Sequence, residues 1–280
     1  MKKALFAALL AMVTMVAQAS SRENVESSTV VKGTIVLATD GTVQTAVVDD
    51  EASYGKAIAD LVRKAALQWR FHPVLRDGAP VVAKSSMHVR VVLDRMPDGN
   101  YSARIKGATF GDDNGNSTDT LQAAEGNKKI MPRYPERAVH DRVQGTVYLS
   151  LHVDHDGHVL EAVAEQVNLG NLGPDGELRQ YRKLLADAAL KAARQWSYVA
   201  PTTGPLVTQN SWTVHIPVKF SLNMDRLSRT RSVWETYVPG PYVPAPWVDR
   251  PDTSAADALA DGSMRTEGAG PTLLAPLKHG

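Results

Sequence analysis

Alternating apolar and polar positions divide most of the chain into two runs with the same order of elements. In the first run, Thr34 to Ala38 predicts a β-strand, Asp40-Gly41 a hairpin turn and Val43 to Val48 the returning strand. Lys56 to Trp69 comes next, with Ile58, Leu61, Val62, Ala65 and Trp69 at three-and-four spacing and charges at Asp60, Arg63 and Lys64 elsewhere. That spacing predicts one apolar face of a helix. Pro73 ends the helical region, Asp77-Gly78 turns the chain, and Met87 to Leu93 is the next predicted strand. In the second run, Val147, Leu149, Leu151 and Val153 alternate within a strand over Gly145 to Val153. Asp154-His155-Asp156-Gly157 is the turn and Val159 to Val167 the return. Tyr181 to Trp196 is the helix, with Leu185, Ala189, Ala192 and Trp196 on its buried side, and Trp212 to Leu222 is the last strand.

Residue matches make the two runs copies of one strand–strand–helix–strand module. Lys64-Ala65-Ala66-Leu67-Gln68-Trp69 lies against Lys191-Ala192-Ala193-Arg194-Gln195-Trp196, Gly33-Thr34-Ile35 against Gly145-Thr146-Val147, and Asp40-Gly41 against Asp156-Gly157. Trp69 and Trp196 are read as core packing at a helix C-terminus, where truncation to Ala should cost roughly 3–5 kcal/mol. After Leu93, Pro97-Asp98-Gly99-Asn100 predicts a turn and Tyr101 to Ile105 an extra strand. That strand is expected to pair with Met87 to Leu93 and close an edge that the second copy leaves free.

The fold class expected is α+β: two small domains, each an antiparallel sheet packed on a helix. The expected domains are residues 30–110 and 128–223, joined by a Gly/Asn/Asp-rich linker over 111–127. Residues 224–280 are expected to form a Pro/Gly-rich, largely disordered tail, with Tyr237 to Trp247 extended as polyproline II. Within it, Leu273, Leu274 and Leu277 could supply a short contact motif.

Residues 1–19 look like an export leader. Lys2 and Lys3 precede an apolar run from Ala4 to Val16, and Ala17-Gln18-Ala19 offers small residues for cleavage before Ser20. The rival reading, an uncleaved anchor, meets a run shorter than the roughly 20 residues that span a bilayer. A periplasmic location is therefore expected, or an inner-membrane one if the leader is retained. With 31 Lys and Arg against 30 Asp and Glu, nothing in the charge balance calls for nucleic acid or an anionic membrane. With no cysteine, disulfides, thiolate catalysis and cysteine-type zinc sites are excluded.

Pro132-Arg133-Tyr134-Pro135-Glu136-Arg137-Ala138 leads into Gly145-Thr146-Val147 and Val153-Asp154-His155-Asp156-Gly157. Then come Ala188-Ala189-Leu190-Lys191-Ala192, Gln195-Trp196-Ser197-Tyr198 and Val214-His215-Ile216-Pro217-Val218-Lys219-Phe220. Over Asn127 to Asn223 this order resembles the C-terminal domain of TonB-family proteins, and Val30 to Asp94 resembles it more weakly, without the Tyr-Pro element. The resemblance implies binding by strand addition: a short N-terminal segment of an outer-membrane receptor, or another extended peptide, pairs beside the last strand. Carried onto this chain, the partner-binding residues are Tyr134, Pro135, Trp212, Val214, Ile216, Val218 and Phe220. An edge strand offers unpaired N–H and C=O groups to such a peptide, or to a second copy of the chain. Pro217 marks an edge, either for binding or simply guarded against aggregation. Two departures from the family pattern stand out: the leader looks removable, and Met131 and Arg133 flank Pro132 where the family commonly has a Gln.

The function expected is thus a periplasmic TonB-like binding protein linked to receptor-dependent transport. The alternatives are an envelope adaptor whose tail covers its own edge, with Tyr237 to Trp247 as internal strand mimic, or an anchored energy transducer. No Ser–His–Asp pattern, phosphate loop or carboxylate pair has a supporting context, so neither enzyme chemistry nor a cofactor is expected. His152, His155 and His158 with Asp154 and Asp156 invite a metal reading, but Asp and Gly are also what a hairpin turn requires.

Overall fold

The computed structural model describes residues 25–96, 98–111, 117–222, 234–248, 257–275 and 277, and for Lys128 and Lys129 the backbone alone. The expected leader lies outside the described residues. Among the described residues, no helix is long and apolar enough to cross a membrane.

The first sheet body contains β1 (Glu26–Leu37), β2 (Val43–Val48), α1 (Glu51–Tyr54), α2 (Lys56–Ala66), the small hairpin β3 (Leu75–Arg76) and β4 (Ala79–Pro80), β5 (Ala83–Arg95) and β6 (Tyr101–Phe110). The second contains β7 (Gln122–Ala123), α3 (Glu136–His140), β8 (Gly145–Asp154), β9 (Val159–Leu169), α4 (Asp175–Ala193), β10 (Tyr198–Val199) and β11 (Ser211–Phe220). Two short strands from the tail complete them, β12 (Glu235–Tyr237) and β13 (Arg265–Thr266). All pairings are antiparallel, so the fold is α+β with roughly two sheet bodies. In the first sheet β1 has β5 on one side and both β2 and β12 on the other, and β6 flanks β5. The second runs β13-β11-β8-β9. Helix α2 lies against β2 and α4 against β9 and β8.

The internal repeat survives in backbone detail. In both copies the helix stops on an alanine, Ala66 or Ala193, and the tryptophan three residues on donates its N–H to that alanine's carbonyl at 3.1 Å. The hairpin glycines Gly41 and Gly157 have φ of +80° and +84°, and a Cβ there would sit 2.0 Å from the Phe71 carbonyl or 1.9 Å from the Tyr198 carbonyl. Glycine is needed because the hairpin tip presses on the chain leaving the helix. In both copies this chain donates an N–H back to the glycine carbonyl, from Phe71 at 2.9 Å and from Tyr198 at 2.8 Å. The tryptophans lie beyond the helix ends and are only half-buried. Trp69 packs edge-on to Phe110 at 5.2 Å, and Trp196 donates its indole N–H to the Ile130 carbonyl at 2.8 Å.

Two cores result. Val31, Ile35, Leu37, Val62, Phe71, Met87 and Val89 centre the first, and Leu149, Leu151, Leu169, Leu185, Trp212 and Val214 the second. The extra strand after Leu93 forms as expected and is longer, because β6 pairs with β5 from Tyr101 to Phe110.

Two expectations are corrected. Of the stretch expected as linker, 112–116 lies outside the described residues, but residues 117–127 belong to the second body. Leu121 is fully buried in its core, and β7 pairs with β10. Leu121, the β7–β10 pairing and the Thr202 and Thr203 N–H groups on the Thr118 carbonyl together anchor this polar run. The described parts of the tail, likewise, are not loose. Tyr237, Val238, Ala245, Ala258, Leu259, Ala260 and Met264 are buried, Leu273 bridges Phe71, and Leu273 and Leu277 pack on the first core. In its described parts the tail adds two short strands to existing sheets with turns elsewhere, and such a segment buries apolar residues at irregular intervals.

Candidate functional site

The strand expected to receive a partner is β11, and its outer edge carries the tail. Val214 stands opposite Thr266 and His215 opposite Arg265, while the Glu267 N–H donates to the Thr213 carbonyl at 2.8 Å. Since backbone groups alternate sides, those of His215, Pro217 and Lys219 face the same edge as Thr213. Pro217 has no N–H to offer there, which fits a ladder ending at Arg265. Beyond it the tail stays close through charge: the Lys219 ammonium is 2.5 Å from the Asp261 carboxylate and also meets Glu235. Burial pulls the Lys219 ammonium's pKa down, but its hydrogen bonds to Asp261 and Glu235 outweigh this and hold it above the ordinary lysine value.

The predicted partner residues fall in this region, with a division of labour that the sequence does not show. Trp212, Val214 and Phe220 are buried, and Ile216 and Val218 pack partly buried on the same core-facing side of β11. Trp212 donates its indole N–H to the Leu206 carbonyl at 3.0 Å. Tyr134 packs edge-on against Phe220 at 5.3 Å and donates its hydroxyl to the Val143 carbonyl, and Pro135 precedes α3 as its N-cap residue. These side chains therefore set the position of the strand. A partner on the edge would meet backbone, the opposite face formed by Thr213, His215, Pro217 and Lys219, and on the core-facing side the rim beside Val214, where Thr266 and Met264 now lie.

The opposite face is mainly polar, half-buried at Thr213 and His215 and exposed at Lys219, and the tail crosses part of it. The His215 Nδ1 is 2.7 Å from the Ser150 hydroxyl and 3.5 Å from a Glu165 carboxylate oxygen. Both contacts use one ring nitrogen, and Ser150 is fully buried. The trio is therefore a cross-sheet tie; a relay would need the serine and the acid on different nitrogens. Burial pushes the Glu165 carboxyl up, but hydrogen bonding and charge from His215 overcome it and leave the pKa low. Its other oxygen accepts the Ala245 N–H at 3.1 Å. The Trp247 indole stacks on His152 at 5.6 Å and donates to the Thr213 hydroxyl at 3.2 Å. The segment expected as strand mimic thus crosses this face and runs along the other edge. Val238 and Leu169 exchange N–H···O bonds at 2.7 and 3.1 Å, and the Val243 N–H donates to the Glu165 carbonyl at 2.8 Å.

A buried charged cluster fastens tail and sheets together. Asp257, 3% exposed, lies 2.8 Å from the Lys106 ammonium and 3.8 Å from the Arg90 guanidinium, and accepts from Asn168 at 3.2 Å. Arg90, 6% exposed, donates to the Asp257 carbonyl, to Ser28 at 2.7 Å and to the Tyr148 hydroxyl at 3.2 Å. Tyr237 donates to Glu26 at 2.9 Å, and Glu26 pairs with Lys106 at 2.7 Å. Burial raises the Asp257 pKa, but the Arg90 and Lys106 charges overcome it and hold the carboxyl below its usual range. Arg90, a single charge in Val89-Arg90-Val91-Val92, is the one member whose sequence setting hints at a special role.

At the second hairpin, Asp154, Asp156 and His158 place ligand atoms within 4.8 Å of one another. Asp154 Oδ1 accepts the N–H groups of Asp156 and His158 at 3.0 and 2.8 Å, which is the chemistry of the turn itself. His152 points away, to Trp247. No family model, curated protein or solved structure matches the chain.

Proposed function

We propose that this chain is an exported envelope protein resembling TonB C-terminal domains, which works by strand addition at the outer edge of β11. The observation that supports this reading is that the edge already accepts an antiparallel strand, Arg265–Thr266. A second extended segment, from a receptor's N-terminus or another envelope protein, needs the same backbone groups and no others. Its side chains would face Thr213, His215, Pro217 and Lys219 on one side and the rim of the second core on the other.

Titrating isotope-labelled full-length protein with N-terminal peptides of outer-membrane receptors tests the reading. The expected result is amide shifts across Val214–Phe220 and in the displaced Arg265–Glu267, and the absence of any shift in Val214–Phe220 at saturating peptide would sink it. A second reading is favoured by the tail's hold on both edges of the second sheet. In it, the chain is an adaptor with a permanently self-covered edge, and it would bind its partners elsewhere. Amide exchange separates the two: an edge that opens shows His215 exchanging well before the core of β8, and a permanent cover shows both exchanging only on global unfolding.

A further inference from the structure

The tail strand is a poorly satisfied occupant of its own site. Thr266 is 2% exposed, yet its hydroxyl and the buried Arg265 Nε find no hydrogen-bond partner among the described residues. Leaving a donor or acceptor buried without a partner is costly, so this occupant binds less well than the edge permits. Only two residues pair, because Pro217 interrupts the ladder. Three side chains of the tail meet β11 or the core beneath it. Met264 enters the second core, Thr266 takes the position opposite Val214, and Asp261 meets Lys219.

Resting on the strand-addition reading above, we propose that the β11 edge is a gated docking surface. Its partner is an extended, antiparallel peptide of pattern acidic-x-x-apolar-x-apolar, which exchanges with the tail. The acidic residue replaces Asp261 at Lys219. The first apolar residue fills the Met264 position. The second replaces Thr266 and removes the unpartnered hydroxyl. The gate is held eight residues away in sequence by Asp257, whose contacts with Lys106 and Arg90 belong to the first sheet. Loosening that anchorage frees the tail strand without touching the edge it covers.

The cysteine-free chain permits a reversible test. Val214 and Thr266 are direct opposites and neighbour the hydrogen-bonded pair Thr213–Glu267, so they form a close, non-hydrogen-bonded pair suited to a disulfide. The probe is a fluorescent synthetic copy of residues 260–267 carrying Thr266→Val. In the full-length V214C/T266C protein, the oxidised form is expected to bind no probe and the reduced form to bind it. Full-length D257N should bind the probe at least about tenfold more tightly than the unmodified chain, because the tail competes less. A probe carrying Met264→Asp should lose binding, and K219E protein should lose its preference for the acidic position. Equal affinity of the oxidised and reduced forms would overturn the gate while leaving strand addition at another edge. Failure of every form to bind, with faster His215 exchange in D257N showing the tail released, would overturn gate and edge together. Binding of this probe without binding of receptor peptides would instead overturn the receptor reading and keep the gate.

Discussion

The two bodies face the same problem, an exposed final strand, and meet it differently. In the first, β5 is covered by the next segment of the chain, and the two pair from Met87–Phe110 to Arg95–Tyr101. In the second, the corresponding strand β11 waits for a two-residue strand that arrives about 45 residues later and makes two paired positions. A long local hairpin is a permanent closure, since it opens only with the sheet. A short distant strand is held by what anchors it elsewhere, and here that anchor is a charged cluster rooted in the other body. Two copies of one module thus differ at one edge, in the length and origin of a single strand, and the proposed docking surface rests on that difference.

The largest way to break this comparison is Arg90→Ala. It removes the guanidinium that joins β1, β8 and the tail and leaves Asp257 short of a partner. A loss of about 3–5 kcal/mol is expected in urea unfolding, with one transition splitting into two as the bodies uncouple. A single transition at the unmodified midpoint would show that the cluster does not couple them. The paired substitutions Gly41→Ala and Gly157→Ala test whether the cores are equivalent. Each puts a Cβ within 2.0 Å of a carbonyl oxygen at positive φ, and each should cost about 2–3 kcal/mol in the same measurement. A clear difference between them would show that the copies have diverged in the core as well as at the edge.

The acid response sharpens the comparison next. Asp257 has its folded pKa depressed, so its contribution is present above the unfolded value and is lost as pH falls through the folded one. Stability at neutral pH therefore includes this contribution in full, and it fades below about pH 3.9, the unperturbed aspartate value. Glu165 has the same sign and adds to the slope. D257N is expected to flatten the midpoint-against-pH curve below that value, and an unchanged curve would remove Asp257 from the account. The smallest expected effect is that of Lys219→Ala. Its pairs with Asp261 and Glu235 are partly solvent-exposed, so less than about 1 kcal/mol of stability should go, while His215 exchange quickens.

Much of the architecture is legible in the sequence because it is periodic. Val147, Leu149, Leu151 and Val153 alternate and all reach the core, and the helix motif before Trp69 and Trp196 marks the repeat. Tyr101 to Ile105 is recognisable as an added strand because a turn sits between it and its partner. The candidate site is legible only in part. Family resemblance points to β11, but the residues it supplies face inward, since alternation puts Trp212, Val214 and Phe220 in the core and Thr213, His215 and Lys219 on the other side. The tail reads as disordered in the sequence because Met264-Arg265-Thr266 has neither period nor propensity to distinguish it. Its order comes from Asp257, Tyr237 and Trp247 meeting groups far away in sequence, and no local window contains those contacts.

The pairing of Glu26–Ser28 with Glu235–Tyr237 also sets a long-range dependence. The first of the described strands cannot complete its pairing without a segment about 210 residues later, as the separation of 211 between Glu26 and Tyr237 shows. Without that segment the start of β1 lacks its neighbour β12, and without Asp257, further on, Arg90 and Lys106 lack a buried carboxylate. The start of β1 is thus closed by a segment from far along the chain, so a chain cut before Glu235 would leave Glu26–Ser28 with a neighbour on one side only.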